Sequence, residues 1–241
     1  MSHSPFRVAV LFFSGLLMSP LHAQMPSMPQ IPGLGGGSTS GLSDTKIASG
    51  LKEALSVGTQ KAVRLVDHPG GYLDNQAIKI LLPSNLRPVE SALRGAGQGP
   101  KIDGFIASMN HAAESAAPEA ERIFADAVTA MTIDDARKLL NGRDTAITDY
   151  FREKTSASLT AAFRPHVEAA MQANGVTHQY DALTGQIPAM PFMKSPTLDI
   201  NSYVVGKGLD GLFYMLGQQE KEIRTNPAAR STALLKQVFG K

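Results

Sequence analysis

The sequence predicts an all-α domain of about seven to nine helices, and three observations carry that prediction. Apolar residues recur at helical spacing through most of the chain after residue 43. The stretches between them are closed by Pro, Gly and Asn, or opened by Ser, Thr and Asp, as helix ends require. Only one stretch is β-rich: Ala77 to Leu82 is short, ends at Pro83, and reads either as a brief strand or as an extended packing segment.

The elements follow in order. Asp44 is placed to cap a helix running to about Val66, with Ile47, Leu51, Leu55, Ala62 and Leu65 at helical spacing and His68-Pro69-Gly70-Gly71 as its stop. Ser84 is placed to cap a short helix that ends in the cluster Gly95, Gly97 and Gly99. Pro100 opens a helix through about Ala116, and Pro118, where its missing N–H costs nothing, opens the next through Met131, so the two form a helical hairpin.

Thr132-Ile133-Asp134-Asp135 resembles a capping box for a short helix ending near Asn141-Gly142. A long helix is expected from about Thr145 to Asn174, kinked or split at Pro165 and closed by Gly175 in a left-handed conformation. The Pro-rich loop Gln186 to Pro196 precedes a last long helix, from about Asp199 to Arg224; Asn226-Pro227 breaks it before a terminal helix to Phe239. No repeat of fixed period is present. One helical domain over 44–241 is expected, with a split into two subdomains near Asn141 as the alternative arrangement.

The amino terminus carries an address. Arg7, the apolar run Val8 to Met18 and Leu21-His22-Ala23 read as a signal peptide over residues 1–23, so the chain is expected to be periplasmic or secreted. That run is about half of what a bilayer-spanning helix needs, and no later segment approaches the length, so no transmembrane segment is expected after cleavage. Residues 24–43, QMPSMPQIPGLGGGSTSGLS, read as a flexible tether, since Pro, Gly and Ser dominate and few large side chains offset the entropy of ordering.

Composition excludes several functions. The chain has no cysteine, and therefore no disulfide, thiolate nucleophile, thiolate metal site or lipid-acylated cleavage point. Loss of Arg7 takes one base from the 23 of the full chain, against 21 acids, and the two signs are interspersed, so nucleic acid is not an expected partner. Of six histidines, His3 and His22 leave with the signal, and the remaining His68, His111, His166 and His178 show no metal-ligand spacing. No metal or cofactor is expected. Nucleophile-elbow, P-loop, zinc-protease and dinucleotide-binding motifs are also missing.

Five collinear segments resemble one family: SGLKEAL at Ser49 to Leu55, NQAIKILLP at Asn75 to Pro83, SMNHAAESAAPEAERIF at Ser108 to Phe124, MTIDDARKLLNG at Met131 to Gly142, and GLDGLFYMLGQQEKEIRTNPAAR at Gly208 to Arg230. They are similar to the domain-of-unknown-function family numbered 4197, exported proteins of Gram-negative bacteria. The resemblance spans about Asp44 to Gly240. It implies an envelope location and a helical domain, and it supplies no activity, cofactor or catalytic residue.

The candidate site residues come from polar positions on apolar faces. In the hairpin, Asn110 and Glu114 flank the stripe of Ile102, Phe105, Ile106, Met109, Ala113 and Ala116; Glu121 flanks the partner stripe, so the three could converge on one groove or simply satisfy helix boundaries. His111 falls on the solvent side, which argues against a metal pair with Glu114. Lys154 occupies the next place in the stripe of Ile147, Tyr150 and Phe151 and must snorkel or find an acid. In the last long helix Leu209, Leu212, Phe213, Tyr214, Met215 and Leu216 lie on every side, so Asp210 is expected to be buried and to require Lys207 or Lys154 as partner, with Tyr214 beside it. Gly206, Gly208 and Gly211 suggest that a backbone or ligand approaches closely there.

Two readings follow: a binding protein for a small apolar or amphipathic ligand or for another envelope protein, or a hydrolase-type enzyme using Glu114, Glu121 or Asp210 as acid or base.

Overall fold

The helices start by two devices, a side-chain oxygen that accepts the first free N–H groups or a proline in the first turn. A computed structural model describes residues 43–173, 175, 199–230 and 232–239, with no strand among them. The expected signal peptide, residues 24–42 of the expected tether and the Gln186 to Pro196 loop lie outside the described residues.

Helix α1 spans Asp44–Arg64, and its cap is Ser43, not Asp44. Ser43 has the extended backbone a cap needs (ψ 147°), and its hydroxyl accepts the Lys46 N–H at 3.4 Å. Asp44 sits one residue inside, where its carboxylate pairs with Arg137 at 2.6 Å. Residues 65–83 form turns and an extended run instead of a strand. A single 3-10 turn, Ser84–Leu86, then leads into α2, Arg87–Gly95. Ser84 does not cap; Pro88 in the first turn of α2 fixes the backbone there.

The hairpin expected over 100–131 does not form: α3, Gly99–Ala116, and α4, Glu119–Ala130, are joined by Ala117 and Pro118, both with helical backbone angles, and the two helices do not pack on one another. Helix α5, Ile133–Leu140, opens with a full capping box: Thr132 Oγ1 accepts the Asp135 N–H, and the Asp135 carboxylate accepts the Thr132 N–H, both at 3.1 Å. Helix α6, Ala146–Ala173, is continuous through Pro165, so the split that is one of the two outcomes expected there does not occur. Phe163 and Val167 on either side of Pro165 are fully buried, and their packing holds the helix together across the missing hydrogen bond. Gly175 adopts φ +63°, the left-handed closure expected of it. Helix α7, Ile200–Thr225, is capped by Asp199, whose Oδ1 accepts the N–H groups of Asn201 and Ser202 at 3.0 and 3.1 Å. A 3-10 turn, Pro227–Ala229, leads to α8, Ala233–Phe239.

Helix α6 packs on α3, α4 and α7, while α1 packs on α4, α5, α7 and α8. The layers meet at three phenylalanines from different helices: Phe124 of α4 lies edge-on to Phe151 of α6 at 5.3 Å and to Phe213 of α7 at 6.2 Å. All three are buried, and each contributes on the order of 2 to 3 kcal/mol by leaving water. The described residues before and after Asn141 therefore share one apolar core, within the compact unit Leu42–Lys241.

Candidate functional site

Asp210 is not buried. Its side chain is 55% exposed and pairs with Lys207 at 3.2 Å and with Arg152 of α6 at 3.4 Å. The reason is helical register: at 100° per residue Leu209, Leu212, Phe213 and Leu216 define the inward arc of α7. Asp210 and Tyr214, four residues apart, share the outward one, and Tyr214 is exposed. The partner expected from α6 is thus Arg152 in place of Lys154.

The close approach anticipated at the glycines is real at two of three. A Cβ on Gly211 would lie 2.6 Å from the Tyr72 ring, and one on Gly208 would lie 3.3 Å from Ala113, whereas Gly206 faces open space.

Asp210 and Tyr214 line a groove of about 640 Å³ between α6 and α7, together with Asp144, Thr148, Arg152, Phe213, Gly217 and Lys221. The Arg152 guanidinium lies over the Phe213 ring at 4.5 Å. Its one side-chain hydrogen bond among the described residues is the long one to Asp210. Lys221 has no ion pair among the described residues. The groove therefore joins an apolar floor to cationic donors with spare capacity. Sequence reading missed Arg152 and Lys221, because on a helix of unknown register they look like any solvated base.

Asn110 and Glu114 form a second polar site, on the buried face of α3. The Asn110 amide accepts the Ile80 N–H and donates to the Ile80 carbonyl, both at 2.8 Å, and also donates to the Ile106 carbonyl at 2.7 Å. One Glu114 oxygen accepts the N–H groups of Tyr72 and Leu73 at 2.9 and 3.1 Å, and the other meets His111 Nδ1 at 2.7 Å. Together they clasp residues 72–80, which lack ladder partners of their own. Burial pushes the Glu114 carboxyl upward, but the hydrogen bonds from His111, Leu73 and Tyr72 outweigh it and hold the pKa below its ordinary value. His111 is half exposed as expected, and with His68, Asp67 and Ser115 it borders an open hollow of about 490 Å³. Among the described residues no group of three or more His, Asp or Glu side chains is arranged to hold a metal.

Glu121 is exposed on α4 and does not join Asn110 and Glu114. Lys154 reaches outward, pairs with Glu153 at 3.0 Å and lies 5.9 Å from the Tyr150 ring. It borders the largest described groove, about 850 Å³, between α4, α5 and α6, whose floor includes Ile123, Ala127, Ala130 and Ala162. The charges around that groove are already committed: Arg122 to Asp126, Lys154 to Glu153 and Asp135 to the capping box.

The most buried ion pair was not anticipated. Glu220 accepts the N–H groups of Ile147 and Thr148 and the Thr148 hydroxyl at 2.8 to 3.1 Å, and pairs with Arg224 at 3.0 Å. Arg224 also donates to the Leu139 and Leu140 carbonyls. One pair thus closes the last turn of α5 and the first turn of α6.

Fold and sites define an all-α protein whose described residues form surface grooves and a polar clasp. The chain belongs to the family described as "Protein of unknown function (DUF4197)", which matches residues 41–240. Comparison with curated proteins and with solved structures gave no match.

Proposed function

We propose that the chain works outside the cytosol, periplasmic or secreted, as a non-enzymatic binding protein that takes a small amphipathic ligand in the α6–α7 groove. The observation that carries this reading is the pairing, in one groove of about 640 Å³, of exposed aromatic surface from Tyr214 with Arg152 and Lys221, whose donors are not fully engaged among the described residues. Small-molecule sites commonly have this size and this mixture of apolar floor and few polar groups. The export-type amino terminus supports the location, and among the described residues no helix is long and apolar enough to cross a membrane.

An acid–base enzyme would need two carboxylates within reach of one substrate atom. Of the three expected for that role, Glu114 spends both oxygens on Tyr72, Leu73 and His111 and Glu121 borders neither hollow, while Asp210 shares the α6–α7 groove with Asp144 but is already paired with Lys207 and Arg152. A protein partner is the second reading for the larger α4–α5–α6 groove, where alanines leave room for a helix and the rim charges are internally paired.

The test is native mass spectrometry of the mature chain recovered from the periplasmic fraction, beside a Gly217→Leu variant. A Cβ at Gly217 meets Thr148 only at 3.5 Å, an ordinary contact, so this variant fills the groove and keeps the fold. The expected result is a bound small molecule on the natural chain and none on the variant. Bare polypeptide from cells, with no binding to an added amphiphile panel, overturns the proposal.

A further inference from the structure

The α6–α7 groove also contains the chemistry to select its ligand, and we infer that it prefers an anionic head, carboxylate or phosphate, on an apolar tail. This rests on the groove being the binding site. Arg152 is the centre of the argument. Its guanidinium carbon lies 4.5 Å from the centre of the Phe213 ring, a cation–π contact that places the group at the groove before any ligand arrives. Only Nη1 is engaged among the described residues, at 3.4 Å to Asp210. Asp210 is itself shared with Lys207, which approaches its other oxygen at 3.2 Å. Two cations thus face one carboxylate, and the cluster Lys207–Asp210–Arg152 retains one positive charge.

Lys221, with no ion pair among the described residues, adds a second cation to the same lining, and Gln218 and the exposed Tyr214 add neutral hydrogen-bonding groups. The opposing charge is Asp144, which also lines the groove. An arriving anion would therefore meet Arg152 and Lys221 against one acid not already covered by a base. The larger α4–α5–α6 groove differs here, because Arg122 and Lys154 on its rim each have their own acid. A planar guanidinium with free N–H groups matches the two oxygens of a carboxylate or a phosphate, and an apolar tail would lie along Tyr214 and Gly217.

The experiment titrates the mature chain with four probes of equal tail length: decanoate, decyl phosphate, decanol and decyltrimethylammonium. Binding is read by calorimetry, since the chain has no tryptophan. Natural chain, Arg152→Gln and Lys221→Gln are compared; both residues are exposed, so neither substitution opens the core. The anionic probes are expected to bind about tenfold or more tightly than decanol, to lose that advantage in Arg152→Gln and part of it in Lys221→Gln, and to weaken with salt. The ratio between decanoate and decyl phosphate tells the two head chemistries apart. Equal affinity for decanol and decanoate, unchanged by Arg152→Gln, overturns the anionic preference while leaving the groove as a site, and so does preference for decyltrimethylammonium. Failure of all four probes to bind overturns the site itself.

Discussion

The Tyr72 hydroxyl donates to the Gly208 carbonyl at 2.6 Å, joining an irregular loop to a helix 136 positions further along the chain. One turn later on the same helix, Gly211 leaves the space that the Tyr72 ring fills: a Cβ there would end 2.6 Å from the ring and 3.1 Å from Ile78. The phenol is buried, and desolvation with the nearby Glu114 charge pushes its pKa far upward, so it is a neutral donor at any physiological pH.

Gly211→Ala should therefore destabilise the fold, although alanine is the better helix former. Alanine gains about 1 kcal/mol of propensity, while overpacking against a buried ring costs about 1 to 3 kcal/mol, so a net loss is expected. Gly206→Ala, at a site facing open space, should show the propensity gain alone. Urea midpoints of the two variants moving in opposite directions would bear this out; a gain at both sites would mean that Tyr72 gives way.

Glu220 and Arg224 support the corner between α5 and α6, and Glu220→Ala should be the most damaging single polar change. It strands the N–H groups of Ile147 and Thr148 and leaves Arg224, itself only 11% exposed, without its acid. Removing one partner of such a pair costs about 3 to 5 kcal/mol. Glu220→Gln keeps an accepting oxygen and should cost less. Equal losses in the two variants would show that charge, and not main-chain capping, is what matters there.

Asp210→Asn should change stability by less than about 1 kcal/mol, because exposed ion pairs contribute little. Had Asp210 been buried, as the apolar run around it suggested, the substitution would have been far more consequential. A loss of several kcal/mol by chemical denaturation would contradict the exposed position.

That contrast marks where the sequence is legible. Helix ends are local, so Thr132 with Asp135, Asp199 and Gly175 announce themselves within four residues. Register within a helix is less secure: Tyr214 counts as apolar in a pattern, yet it lies outward, and including it made α7 look buried on every side. Asn110 and Glu114 were visible as polar flanks of an apolar stripe, but their partners are main-chain groups 30 to 42 residues away, in a segment with no period to read. Glu220 was hidden in the run Gln218 to Glu222, which has the composition of a solvated face.

The Glu114 clasp predicts a particular acid limb in the stability profile. Its folded-state pKa lies below the ordinary 4.5, so folding favours the ionised form; the stability this contributes is full above about pH 4.5 and is lost as pH falls through the folded value. Glu114→Gln retains an oxygen for the Tyr72 and Leu73 N–H groups but cannot ionise. The difference in unfolding free energy between the natural chain and this variant should be on the order of 1 to 3 kcal/mol at neutral pH and shrink toward pH 3. His111→Ala removes the 2.7 Å hydrogen bond that does most to lower the pKa, and should move the loss to higher pH. Urea denaturation at intervals from about pH 7 to 3 reads all three chains, and a difference that stayed constant across that range would mean that Glu114 holds the Tyr72 turn without its charge.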